Sequence, residues 1–229
     1  MKGPGAACSG AFSLEEGCAM TRTTVAVLIA MLCAGLSAMA VDIRGDLFSV
    51  YSPLNNVNAV IEQYELSGQG ALSEMHVGTG GSLVASLRPV FGSGMIYVGG
   101  RTAFYSVMER DAEIRASFAG GIAGVAYELG RWCAAFDLGI YRGKFQFERA
   151  RYPACSGWSG GAMGCIGYGV AITSSISAGA SVLVNWIPFQ RMTDGQGQTY
   201  RGRGTPFVDF RGVGASIHLV WEFGGGSAG

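Results

Sequence analysis

The chain has 229 residues, 49% of them hydrophobic and only 14% charged, with 16 Lys+Arg balanced by 16 Asp+Glu. A formal net charge of zero without a basic run argues against a nucleic-acid partner, and the charged share lies well below the ~25% usual for soluble domains. The 38 glycines lack the Gly-X-Y period of collagen, and the abundant aliphatic and aromatic residues exclude a disordered glycine-rich chain.

From Met20 the sequence reads MTRTTVAVLIAMLCAGLSAMAVDIRG. Arg22 supplies a positive start, Val25 to Leu36 is apolar apart from one glycine, and Ala38-Met39-Ala40 is a small-x-small cleavage site. The apolar run is short and Ala-rich for a membrane-spanning helix. Residues 1–40 therefore read as an N-terminal extension plus signal peptide, with Met20 as the start and cleavage after Ala40. A retained anchor is the competing reading. Export leads to an oxidising compartment, and cleavage leaves Cys133, Cys155 and Cys165. An odd number of thiols cannot pair completely within one chain. Cys155 and Cys165 are the candidate disulfide, and three unpaired thiols are the alternative. Neither zinc spacing nor a phosphate-binding or dinucleotide fingerprint occurs, so no metal and no cofactor is expected.

Beyond Ala40, segments of alternating character follow one another: roughly 41–51, 76–90, 95–108, 112–129, 132–148, 160–173, 176–189 and 206–223. Each has the ~10 residues a tilted strand needs to cross a hydrocarbon layer. In the first, Asp42, Arg44 and Asp46 share one face. The connection after it contains NNVNAVIEQYEL, where Val57, Val60, Ile61 and Tyr64 lie at helical spacing and Asn55 or Asn56 can cap the start. In the third, Ile96, Val98 and Phe104 oppose Tyr97, Arg101 and Tyr105. The fourth, AEIRASFAGGIAGVAYELG, has no clear phase, because both faces carry Gly, Ala and large apolar residues. In the fifth, Trp132, Phe136, Leu138 and Ile140 oppose Cys133, Asp137 and Tyr141. In the seventh, Val182, Val184 and Trp186 oppose Ser181, Leu183 and Asn185. In the last, Ile217, Leu219, Trp221 and Phe223 oppose Ser216, His218 and Glu222.

Such alternation suits a soluble barrel around a cavity and a transmembrane barrel alike. Three features favour the membrane. Long and short connections mostly alternate, as they do between outer loops and periplasmic turns. Trp132, Trp221 and Phe223 fall at one set of strand ends, and Phe104, Tyr105 and Trp186 near the other, matching two aromatic girdles. The less apolar face is rich in Gly, Ser and Ala, which suits a narrow interior. The expected fold is all-β: an antiparallel up-and-down transmembrane β-barrel of eight strands, with a short helix in the first long loop. The barrel spans 41–223, and 224–229 form a flexible Gly-rich tail.

With its export signal, its segments and the terminal IHLVWEF, the chain resembles the OmpA/OmpX-type small outer-membrane barrels over roughly residues 41–223. The resemblance lies in pattern rather than in a motif. In that family the last strand usually ends the protein on Phe, with apolar residues at alternate positions before it, and the assembly machinery reads this signal. Leu219, Trp221 and Phe223 match; the GGGSAG that follows departs from the pattern. The resemblance implies a bacterial outer membrane, contact with its lipid, with lipopolysaccharide and with the assembly machinery, and a monomeric state.

Some barrels of this kind modify lipid A with His, Ser and a carboxylate. Ser216, His218 and Glu222 share a face, yet the strand direction puts His218 near the periplasmic end, far from outer-leaflet lipid. They read better as interior polar residues. His76, beside Ser73 and Glu74, reads as a solvated loop end. The expected lumen cluster is Asp42, Arg44, Asp46, Arg101, Asp137 and Glu222. It either plugs the barrel or lines a narrow ion path, and the small interior of eight strands favours the plug. Arg149, Arg151, Arg191, Arg201 and Arg203 crowd the third and fourth outer loops against Glu148 and Asp194; they read either as an anion site for groups such as lipopolysaccharide phosphates or as solvated loop charge. The function expected is structural or surface-interactive, without catalysis. A narrow pore and a lipid-modifying enzyme are the alternatives.

Overall fold

A computed structural model describes residues 40–55, 57–59, 75–91, 93–109, 112–147, 154–202 and 205–223. The expected signal segment up to Met39, the tail 224–229, and Val60, Ile61 and Tyr64 of the first loop lie outside them. The long strands are β1 (Ala40–Tyr51), β2 (Val77–Phe91), β3 (Gly94–Glu109), β4 (Ala112–Leu129), β5 (Trp132–Phe147), β6 (Cys155–Ala171) and β7 (Ile176–Trp186). Four short ones follow: β8 (Pro188–Phe189), β9 (Arg191–Asp194), β10 (Thr199–Arg201) and β11 (Val208–Asp209). β12 (Gly212–Phe223) is the last.

Each of β1 to β6 pairs antiparallel with the next, β7 pairs with β12, and β12 pairs with β1 from Val41↔Phe223 to Tyr51↔Val213. The result is a closed eight-stranded antiparallel barrel. Closure leaves no edge among the eight barrel strands, a strict requirement where the surroundings offer no hydrogen bonds. The first loop starts with a helical turn at Asn55, as its spacing predicts. Leu54 precedes it at φ 43° and is buried. Asn58 ties that turn to the loop's return, donating to the carbonyls of Pro53 and Met75 and accepting from the Met75 N–H.

The outer wall is apolar. Ile140 and Trp158 are each 68% exposed and Leu47 67%, and they belong to a continuous belt of outward aliphatic and aromatic residues. A water-soluble protein rarely exposes so large an apolar surface. On β5 the outward residues Trp132, Ala134, Phe136, Leu138 and Ile140 precede the first outward charge, Arg142. At ~3.3 Å per residue and a tilt of ~40°, that apolar stretch rises about 20–25 Å along the barrel axis, the height of a lipid-facing band. Trp132, Tyr168, Trp221 and Phe223 ring its lower edge, with Trp132 edge-on to Tyr168 at 5.2 Å. Tyr51, Phe104, Trp158 and Trp186 ring its upper edge. Two girdles stand as the sequence anticipates, except that Tyr105, expected in the upper one, points into the lumen and is fully buried.

This arrangement carries a direct test. Leu219, paired with Gly45 and Ala178, lies inside the band, whereas Val213 lies near its upper rim. Leu219→Arg is expected to lower stability in lipid vesicles by about 2–4 kcal/mol, and Val213→Arg by about 0–1 kcal/mol. Chemical unfolding of vesicle-inserted protein measures both. Equal tolerance at the two depths would contradict a lipid-facing band.

The interior differs from the uniformly small lining that the Gly, Ser and Ala content suggests. It changes character with height. The lower half is polar, and the upper half is aromatic: Phe48, Tyr105, Phe118, Tyr141, Phe145 and Phe147 all point inward and are buried. β4 is hard to phase for this reason. Its inward set, Ile114, Ala116, Phe118, Gly120, Ile122, Gly124 and Ala126, is as apolar as its outward set.

The last two segments are shorter than expected, because the fourth outer connection turns inward. β7 stops at Trp186, opposite Ala162 of β6. Pro188 has no N–H to continue the ladder; instead the Ser159 hydroxyl donates to its carbonyl. Ile187, Pro188 and Phe189 enter the barrel mouth, where β8 pairs with β11 through Val208↔Phe189. Phe210 follows, fully buried against Tyr105, Phe118 and Phe189. Gly143 is the gap that admits this cap: a Cβ there would lie 2.6 Å from the Phe189 ring and 2.8 Å from Met192.

Candidate functional site

All six expected lumen residues face inward, but they form separate groups. Arg101 on β3 and Asp137 on β5 make a forked ion pair: Nη1 donates to Oδ1 at 2.7 Å and Nη2 to Oδ2 at 2.6 Å. Their side chains are only 3% and 1% exposed. The Tyr97 hydroxyl donates to the same carboxylate at 3.0 Å, and Arg101 also donates to the Tyr141 hydroxyl at 3.1 Å. Buried charges persist when paired in this way. β3 and β5 are not adjacent, so the pair reaches across β4, where Gly124 takes up little space between them.

The second group sits where the barrel closes. Arg44 donates to Asp46 at 2.8 Å and 2.6 Å, and the Ser82 hydroxyl donates to the other Asp46 oxygen at 2.8 Å. His218 Nδ1 lies 3.4 Å from Arg44 Nη2 and 3.4 Å from Ser181 Oγ. Gly179 makes room for this imidazole, because a Cβ there would lie 2.4 Å from Nε2. His218 thus faces Ser181 and Arg44 inside the barrel. Asp42 and Glu222 are cross-strand partners nearer the periplasmic-type end. A partly enclosed cavity of about 50 Å³ lies between the two groups, with Asp46, Arg101, Asp137 and Glu128 in its wall. Tyr97 and Ser181 lie on the face that the sequence turns inward, whereas Ser82 and Glu128 are not singled out in it. Their inward phase on alternating strands was the available signal.

One expectation is overturned. Cys155 and Cys165 cannot form a disulfide, since both lie on β6, ten residues apart along one extended strand. That is about 33 Å at ~3.3 Å per residue, against a limit of ~7 Å between bridged Cα atoms. The even spacing that turns both thiols inward also holds them apart. None of Cys133, Cys155 and Cys165 is in a disulfide, and the Cys155 thiol packs 3.9 Å from the Met192 sulfur.

Of the loop arginines, Arg149, Arg151 and Arg203 lie outside the described residues. Arg191 and Arg201 are exposed and directly opposed across the β9–β10 hairpin. Asp194 closes that hairpin, accepting from the N–H groups of Gln196 and Gln198 at 2.9 Å each and from the Tyr200 hydroxyl at 3.0 Å. Desolvation pushes its carboxyl up, but the donors at Gln198, Gln196 and Tyr200 outweigh it and hold the group below the usual carboxylate range. At the opposite end Leu219, Trp221 and Phe223 all face outward, with the Trp221 and Phe223 rings stacked at 5.9 Å.

A closed barrel of eight strands with an apolar outer band, two aromatic girdles and a charge-paired interior defines the class: a small transmembrane β-barrel of the outer-membrane type. Among solved structures the chain is similar to Ail, the attachment invasion locus protein of Yersinia pestis, at 10% identity and a TM-score of 0.46, covering 81% of this chain and 98% of that one. It is also similar to Neisserial surface protein A, at 11% identity and a TM-score of 0.44 over 80% and 99% of the two chains. OprG from Pseudomonas aeruginosa gives 12% identity and a TM-score of 0.43 over 81% and 96%. No protein-family model matches the chain, and no curated protein matches it by sequence.

Proposed function

We propose that the protein is a bacterial outer-membrane barrel with a lumen closed to ions and a structural or surface-interactive role without turnover. The filled interior carries this reading: below the aromatic cap, among the lower polar groups, the described residues line a partly enclosed cavity of about 50 Å³, room for a few water molecules. The Arg101–Asp137 pair spans the lumen below the cap, and charges fixed to each other in this way offer no path of exchangeable ligands to a passing ion. His218, the one histidine on the interior face, is enclosed beside Ser181 and Arg44 rather than presented to outer-leaflet lipid. Leu219, Trp221 and Phe223 supply the outward aromatic pattern for the assembly machinery, and the protein acts as a monomer.

Planar-bilayer recording of the purified protein tests the closed lumen. No steady conductance is expected from the unmodified barrel. Stable, ion-selective unitary currents would overturn the reading and make the protein a narrow pore.

A further inference from the structure

The outer wall carries a charged patch directly above the apolar band. On β5, Arg142 and Lys144 face outward just beyond Ile140, and neither makes an ion pair among the described residues. Arg115, on the adjacent strand β4, faces the same way and pairs with Glu113. Arg142 is the cross-strand partner of Trp158 on β6, and Lys144 is the partner of Ser156. β9 then adds to the upper part of β6 through Cys155↔Asp194 and Ser156↔Thr193. Continuing that register brings Arg191 beside Trp158, in keeping with the Arg191 carbonyl that a Cβ on Gly157 would meet at 2.5 Å. Arg191 in turn opposes Arg201 on β10. One outward rung of the sheet thus reads Arg142, Trp158, Arg191, Arg201.

Like charges placed directly opposite on a sheet are destabilising unless an anion lies between them. Here two such arginines, from the β9–β10 hairpin of the fourth outer connection, stand beside two further cations of the barrel wall with an exposed tryptophan in the middle, just above the apolar band. Two strand spacings of ~4.8 Å put the Arg142 side about 10 Å from the Arg191 side. A lipid with one phosphate would engage one side only; a headgroup with two phosphates would engage both. Below the shelf the wall is low on either side of the Phe136–Leu138–Ile140 ridge: Ala119, Gly121 and Ala123 on β4, and Gly160, Ala162 and Gly164 on β6. Such troughs give several acyl chains close contact with the barrel.

We propose that this face binds lipopolysaccharide, with Arg142 and Lys144 on one phosphate, Arg191 and Arg201 on the other, and Trp158 under the sugar between them. Arginine forks suit phosphate oxygens, and the charge-assisted bonds would relieve the repulsion across the β9–β10 hairpin. The site rests on the outer-membrane reading above, and joins the β9–β10 hairpin of the fourth connection to the wall strands β5 and β6.

The test titrates folded, detergent-solubilised barrel with purified lipopolysaccharide and counts bound molecules by native mass spectrometry. The Arg142→Gln/Arg191→Gln/Arg201→Gln variant is expected to bind at least tenfold more weakly, and phosphatase-treated lipopolysaccharide should bind the unmodified protein at least tenfold more weakly. Arg211→Gln, whose side chain pairs with Asp209 elsewhere on the rim, should bind as the unmodified protein does. Undiminished binding by the triple variant or by the dephosphorylated lipid would overturn the site, as would equal binding of phosphatidylglycerol. Insertion into phosphatidylcholine vesicles, followed by protease protection, separates the two failures. A barrel that inserts but ignores lipopolysaccharide loses only the site, whereas a chain that does not insert loses the membrane reading and the site with it.

Discussion

Arg101→Ala is expected to destabilise the barrel by about 3–5 kcal/mol, because it leaves the Asp137 carboxylate charged, buried and short of its strongest donors. Asp137→Ala should cost a similar amount, since the guanidinium would keep only the Tyr141 hydroxyl among its present partners. The two losses should not add. With both charges gone, neither desolvation penalty remains, and replacing the pair by apolar residues of similar volume, Arg101→Met with Asp137→Leu, is expected to be nearly neutral. Tryptophan fluorescence during chemical unfolding in lipid vesicles measures all three. Strict additivity of the single losses would show that the two side chains do not depend on each other. The pair lies below the aromatic cap, so its removal alone is not expected to produce a steady current.

Phe210→Ala should cost about 3–5 kcal/mol as well, by a different route. The ring is fully buried, with centroids 5.0 Å from Tyr105, 5.0 Å from Phe118 and 5.7 Å from Phe189. Deleting it removes apolar transfer energy and leaves a void that the barrel wall, tied by its ladders, cannot collapse to fill. Phe210→Leu keeps most of the volume and should cost less than about 1.5 kcal/mol. Hydrogen exchange distinguishes a local from a global effect: residues 187–211 should exchange faster in the alanine variant, with the barrel strands following as stability falls. Unchanged exchange across 187–211 and unchanged stability would mean that the inward segment does not depend on this ring.

Much of the barrel is written in short-range pattern. Trp132 to Ile140 on one face and Cys133 to Tyr141 on the other already separate lipid from lumen, because successive side chains of a strand point to opposite faces wherever the strand is placed. The same rule puts Asp42, Arg44, Asp46, Arg101, Asp137 and Glu222 inside, and Leu219, Trp221 and Phe223 outside. What each inward residue meets depends on register and closure, which join positions far apart in the chain. Arg101 finds Asp137 across an intervening strand; Arg44 pairs two residues along its own strand; His218 meets Ser181 because β12 lies beside β7. The Cys155–Cys165 pairing failed for the same cause: ten residues look near in sequence and are far apart when extended. The phase of β4 and the inward turn at Pro188 were illegible because a barrel interior that is polar below and aromatic above shows no constant contrast with lipid. Periodicity is a local property and can be read from the sequence; the partner across the lumen is settled only when the sheet closes.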